Sequence, residues 1–144
     1  MPKPKRKPDA FRIAIIDSGL DFNYDDANVI KYLFTKGTND IMYHQSKESL
    51  EDVFNFDPNL TFVQTPTSID EETGAVVATA LESEVLQLLA KTSGGVVIKT
   101  PMPIEIIDRL CSTNDKIVYY PKFYCETVPE NQTFHILGGA QNSV

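Results

Sequence analysis

Phe11-Arg12-Ile13-Ala14-Ile15-Ile16 is an apolar, β-branched run that Asp17-Ser18-Gly19 cuts off abruptly. A run this short, bounded by a turn signal, does not have the length of an ordinary helix. It reads as a strand covered on both faces, the pattern of a parallel sheet. The segment behind it, Asp25 to Lys36, reads as a helix, and Gly37 supplies the stop. Strand, tight turn and helix form a βα unit, which commits the chain to an α/β fold.

The rest of the sequence repeats that alternation. Asp40-Ile41-Met42-Tyr43-His44 reads as a second strand. Ser46 is placed to cap a helix running to about Phe54, with Glu48 and Glu51 in its early turns. Leu60 to Gln64 is a third strand, ended by Thr65-Pro66-Thr67, and Ser68 to Gly74 is a polar loop. Ala75 to Lys91 carries the strongest helical signal. Val77, Leu81, Val85 and Leu88 make one apolar stripe, with Glu82, Glu84 and Gln87 off it. Gly94-Gly95 breaks that helix before a fourth strand, Val96-Val97-Ile98. Pro103 opens another helix whose inner face is Ile104, Ile107 and Cys111. Lys116 to Tyr120 is a fifth strand and Phe134 to Leu137 a sixth, ended by Gly138-Gly139.

Alternation from start to finish predicts an α/β, Rossmann-like, doubly wound, mostly parallel six-stranded sheet. Helices are expected on both faces, and right-handed crossovers favour the order 3-2-1-4-5-6. The expected organisation is one domain over residues 11–144 behind a basic, proline-rich arm over residues 1–10.

The arm matters because charge is uneven. Lys3, Lys5, Arg6 and Lys7 supply four positive charges, and removing them from a net charge of −7 leaves −11 on the rest. An acidic body is a poor nucleic-acid binder. Pro2, Pro4 and Pro8 stiffen the arm, and no apolar residue after Met1 anchors it. Those four basic residues are the candidate partner-binding positions, directed at the acidic surface of another protein subunit. No apolar run approaches the ~20 residues that cross a membrane, and the basic start lacks a following apolar region, so no secretory signal is expected. The expected location is the cytoplasm, or a particle assembled inside the cell. Cys111 and Cys125 stand outside any C-x-x-C pattern and read as reduced thiols.

Several segments resemble the N-terminal, cofactor-binding domain of the UDP-glucose/GDP-mannose dehydrogenase family. Thr65-Pro66-Thr67 looks like that family's Thr-Pro-Thr loop, and Val96-Val97-Ile98-Lys99-Thr100 with Pro103 like its Val-Ile-Lys-Ser-Thr-x-Pro turn. Tyr120-Pro121-Lys122-Phe123-Tyr124-Cys125-Glu126 looks like its Asn-Pro-Glu-Phe-Leu-x-Glu segment, and Ile136-Leu137-Gly138-Gly139 like its Ile-Val-Gly-Gly end. Phe11 to Gly19 extends the match. The resemblance implies NAD-dependent oxidation of a nucleotide sugar, with Glu126 as a catalytic acid or base and Gly19, Thr65 and Thr100 as cofactor contacts. It also implies a cysteine nucleophile with lysine and asparagine helpers, in regions beyond this domain.

The residues depart from that pattern where binding is most demanding. The G-x-G-x-x-G fingerprint falls on Asp17, Gly19 and Phe22, so one glycine of three remains. Lys122 stands in place of the family's first glutamate, its catalytic threonine falls on Pro101 beside Thr100, and His44 falls near the acidic ribose-binding position. A pyrophosphate needs close backbone approach and inward N–H groups, whereas Asp17, Asp21, Asp25 and Asp26 crowd that turn with negative charge. Their spacing fits no Ca²⁺ loop, and no metal site is expected. Ile15 to Asp21 also looks like the aspartate motif of subtilisin-like proteases, but neither His44 nor His135 has the context of a base histidine. Tyr119, Tyr120, Phe123 and Tyr124 read as core aromatics, with a partner-binding patch as the alternative.

The function expected is a non-catalytic structural or interaction module derived from a nucleotide-sugar dehydrogenase, a component of a larger assembly such as a phage virion, holding no cofactor. The alternative is a protein that binds NAD or a nucleotide sugar, or the cofactor half of a split UDP-glucose 6-dehydrogenase-type oxidoreductase.

Overall fold

The computed structural model describes residues 11–17, 39–45, 48–121 and 138–139. In chain order they form β1 (Phe11–Asp17), β2 (Asn39–Gln45), α1 (Glu51–Phe56), β3 (Leu60–Val63), β4 (Ser68–Ile69), β5 (Val76–Val77), α2 (Thr79–Lys91), β6 (Gly95–Ile98), α3 (Ile104–Thr113), β7 (Ile117–Tyr119) and β8 (Gly138–Gly139). Six strands build one sheet in the order β2-β1-β3-β6-β7-β8, parallel except for β8, which runs antiparallel to β7.

This order corrects the expected 3-2-1-4-5-6. The third strand does not lie outside β2; it pairs with β1 on one side and β6 on the other. Composition gives the reason. β3 carries Leu60, Phe62 and Val63 on alternating faces and suits a position covered on both sides. β2 contains Asp40, His44 and Gln45 and suits an edge.

Register explains the core. Two rows of side chains cross the sheet on one face: Met42, Ala14, Thr61, Val96, Ile117, and then His44, Ile16, Val63, Ile98, Tyr119. Val53 of α1, Leu81, Val85 and Leu88 of α2, and Ile107 and Leu110 of α3 join this face in a single buried cluster. The steps β2→β3, β3→β6 and β6→β7 all run the same way across the sheet, so right-handed connections place these three helices on the same side. Helices on both faces were expected; the one expected between β1 and β2 lies outside the described residues. Ile13, Ile15 and Val97 point to the opposite face and are buried there.

Several local expectations are corrected. The helix placed at Ser46 begins at Glu51, without a side-chain cap. The polar loop 68–74 is part of a two-strand hairpin, with Asp70 and Ala75 joined across it and Gly74 at φ +69 in its turn. Val77 belongs to β5 of that hairpin, so α2 starts at Thr79. In α3 the inner face is Ile107 and Leu110; Ile104 is exposed and Cys111 only half-buried. Pro103 sits one residue ahead of the helix, where its carbonyl accepts from the Ile106 and Ile107 N–H groups. The sixth strand expected at residues 134–137 lies outside the described residues; among the described ones, Gly138–Gly139 pairs antiparallel with β7.

A buried polar relay at the carboxyl ends of the strands

Parallel strands point their carboxyl ends the same way, and ligands of open α/β sheets bind beyond those ends where the strand order reverses. Here the chain steps outward from β1 to β2 and returns past β1 to β3, so the reversal lies at β1. Gln64 extends the ladder there, donating its N–H to the Ile16 carbonyl at 2.8 Å. The next residue, Thr65, turns into the helix-covered side and is buried.

Thr65 is the centre of a relay. The Thr100 hydroxyl donates to the Thr65 carbonyl at 2.8 Å, and the Thr65 hydroxyl donates to Oε1 of Glu84. Glu84 projects from α2 and is only 6% exposed. Among the described residues nothing donates to its second oxygen. Burial pushes the Glu84 carboxyl above its ordinary range, while the Thr65 hydrogen bond and the nearby His44 pull in the opposite direction. His44, at the end of β2, is 7% exposed, and its Nε2 lies 3.3 Å from the Glu48 carbonyl oxygen, an acceptor. Lys99, just past β6, is also buried, with its ammonium 4.8 Å from the Tyr120 ring centre. Tyr119 accepts from the Met102 N–H through its hydroxyl at 3.1 Å.

A cavity of about 440 Å³ opens beside this relay, between the segment entering α1 and the outer turns of α2. Glu84 and Thr65 line it together with Ser83, Gln87, Leu50 and Phe54, and its charged lining also includes Glu48, Glu51 and Lys91. Lys91 is already engaged, 4.9 Å above the Phe54 ring. Three carboxyl groups, those of Glu48, Glu51 and Glu84, thus share this wall with one ammonium. Among the described residues no cluster of His, Cys, Asp and Glu could hold a metal ion, and no helix is long and apolar enough to cross a membrane.

Of the residues singled out from sequence, Thr65 and Thr100 are brought together, and each spends its hydroxyl on the protein itself. Gly19, Glu126, Lys3, Lys5, Arg6 and Lys7 lie outside the described residues. Glu84 is the residue that sequence reasoning missed. The apolar stripe Val77, Leu81, Val85 and Leu88 leaves it out, but Leu81, Glu84, Val85 and Leu88 follow the 3-1-3 spacing of a buried face, and that spacing is the available signal. Glu82 does lie outward, where it pairs with Arg109. No protein-family model matches this chain, and no curated protein matches it.

Proposed function

We propose that this chain is a Rossmann-like module that acts through protein contacts rather than catalysis, derived from a nucleotide-sugar dehydrogenase and holding no dinucleotide. The observation that carries the reading is the state of Thr65 and Thr100. The resemblance would turn these side chains toward a cofactor, yet their hydroxyls are committed to Glu84 and to the Thr65 carbonyl. Releasing them would leave a buried carboxyl and a buried carbonyl without partners, a loss of about 1–3 kcal/mol for each. The carboxyl-lined cavity adds repulsion toward a pyrophosphate. The strand order supports the Rossmann-like reading at the level of a parallel sheet with its reversal at β1. The basic arm then serves to dock the domain onto a larger assembly.

The cavity itself favours a second reading, retained binding of a small molecule, because clefts at this end of a parallel sheet are the usual ligand sites. Calorimetric titration of the full chain with NAD and with UDP-glucose separates the two. The module reading expects no binding tighter than millimolar; a micromolar constant for either ligand overturns it.

A further inference from the structure

We propose that β2 pairs antiparallel with β2 of a second copy of this chain, joining two six-stranded sheets into one. β2 is the last strand of its sheet, and among the described residues nothing pairs with its outer side. It is hydrogen-bonded in register to β1 along its whole length, from Asn39 to Gln45, so its outer rim is a straight row of backbone donors and acceptors. Natural edges refuse partners by being short, or by carrying lysine, proline or a bulge. Asn39-Asp40-Ile41-Met42-Tyr43-His44-Gln45 has no lysine, arginine or proline, and its unbroken register with β1 leaves no room for a bulge.

The side chains along this edge are those of an interface. Register places Phe11, Ile13 and Ile15 of β1 beside Ile41 and Tyr43, all on the face away from the three helices. Within that group Phe11 is 48% exposed and Tyr43 47%. Two large aromatic side chains are thus about half exposed beside the edge strand.

The strand also complements itself. A two-fold axis that continues a sheet stands perpendicular to it and must pass through a residue, because opposed residues have to share a face. With the axis at Met42 all seven residues find a partner. By backbone register Ile41 faces Tyr43, Asp40 faces His44, and Asn39 faces Gln45. The first of these sets a β-branched residue against an aromatic one, a pair type that stabilises antiparallel strands. Moving the axis to Ile41 or Tyr43 loses this match: Asp40 or His44 then faces Met42, and two residues overhang. The axis at Met42 also leaves α1, α2 and α3 of both copies on the same side of the joined sheet. Asp40 is the only carboxylate the edge brings to the junction, although each copy carries a net charge of −7. Association should therefore tighten with salt.

The proposal names one partner for the module reading and rests on it only in that sense. Sedimentation velocity of the full chain over a range of concentrations should show a reversible monomer–dimer equilibrium. Tyr43→Lys, at an exposed position, should weaken it by roughly tenfold, since each cross-strand pair occurs twice about the axis. Register is tested by cysteine. Met42 opposes itself, with Cα atoms about 4.5–5.5 Å apart, within disulfide reach. Met42→Cys should crosslink on oxidation. Asp40→Cys should not, because its own copy would lie four residues along, about 13 Å away. A chain that stays monomeric at hundreds of micromolar overturns the proposal and leaves the edge to another protein or to a segment of this chain. A dimer indifferent to Tyr43→Lys, or one crosslinked through Asp40→Cys in preference to Met42→Cys, overturns it as well. A monomer that binds no nucleotide would remove the dimer and keep the module reading, whereas a dimer that binds NAD at micromolar levels would do the reverse.

Discussion

Polar side chains gather at both ends of this sheet, and they do different things. At the amino ends they finish the backbone. Asn59 accepts from the Arg12 N–H through its side chain at 2.9 Å and donates its own N–H to the Arg12 carbonyl at 2.8 Å. The Arg12 guanidinium donates to the Asp57 carbonyl at 2.8 Å. Asp57, at φ 48 past the end of α1, receives the Ser93 N–H on its carboxylate at 2.9 Å. These contacts tie the turn after α1 to the start of β1 and to the turn before β6. At the carboxyl ends the backbone contact is carried further, from the Thr65 carbonyl that Thr100 meets to the Thr65 hydroxyl and the Glu84 carboxyl. Thr100, Thr65 and Glu84 form a line, nothing among the described residues donates to the second Glu84 oxygen, and a cavity lies beside it. The amino end spends its polar groups on closing the fold; the carboxyl end holds polar groups in a buried place that closure does not require.

The sharpest way to break this contrast is at Gly94. A Cβ there would stand 2.3 Å from the Pro58 carbonyl oxygen and 2.4 Å from that of Asn59, both backbone atoms with no rotamer to move to. Gly94→Ala should therefore cost roughly 3 kcal/mol or more, the upper range for forcing atoms into packed structure. Urea denaturation measures it. A loss below about 1 kcal/mol would mean that the amino end is plastic, and the contrast between the two ends would fall.

How legible the molecule was in its sequence follows the same division. Strands were readable where apolar runs are short and bounded, as at Phe11–Asp17, Leu60–Val63 and Gly95–Ile98, because burial on two faces leaves a strong local pattern. Their spatial order was not, because pairing is decided by which strand is apolar enough for the centre, a comparison between distant segments. The start of α1 was misplaced for a related reason: Ser46 offered a cap, but the helix begins where Val53 and Phe54 can reach the core. At the site, Thr65 and Thr100 stood out through resemblance, while Glu84 looked like an ordinary surface acid. Its role depends on Thr65, nineteen positions away, and no local pattern encodes that partner.

Thr61 sharpens the comparison from between the two ends. It lies in the row joining Ala14 to Val96, 1% exposed, and its hydroxyl has no hydrogen-bond partner. It belongs to neither the contacts at the amino ends nor the relay. A buried, unsatisfied hydroxyl lowers stability, and a methyl group of similar size fits an apolar row. Thr61→Val should raise stability by about 1 kcal/mol, read as a higher urea midpoint at unchanged slope. A loss would place a partner for this hydroxyl in the middle of the sheet and extend the polar region inward from the carboxyl end.

The smallest effect is a slope rather than a step, and it tests whether the relay is held at a cost. Burial raises the Glu84 carboxyl above its ordinary value of 4.5, against the opposing pull of Thr65 and His44. A carboxyl whose folded value is raised binds its proton more tightly in the native state than in the unfolded chain. Its contribution to stability is therefore complete below pH 4.5 and is lost as pH rises through the raised folded value. Glu84→Gln keeps an acceptor for the Thr65 hydroxyl and removes the titration. The other carboxyl groups titrate in both proteins, so the informative quantity is the difference in unfolding free energy between variant and wild type. That difference should shift in favour of the variant between pH 4 and pH 8, by less than the Thr61 effect, because two of the three influences on Glu84 oppose burial. A difference that stays constant across the range would mean that Glu84 ionises as freely in the fold as outside it. The carboxyl end would then be closed polar structure of the same kind as the amino end.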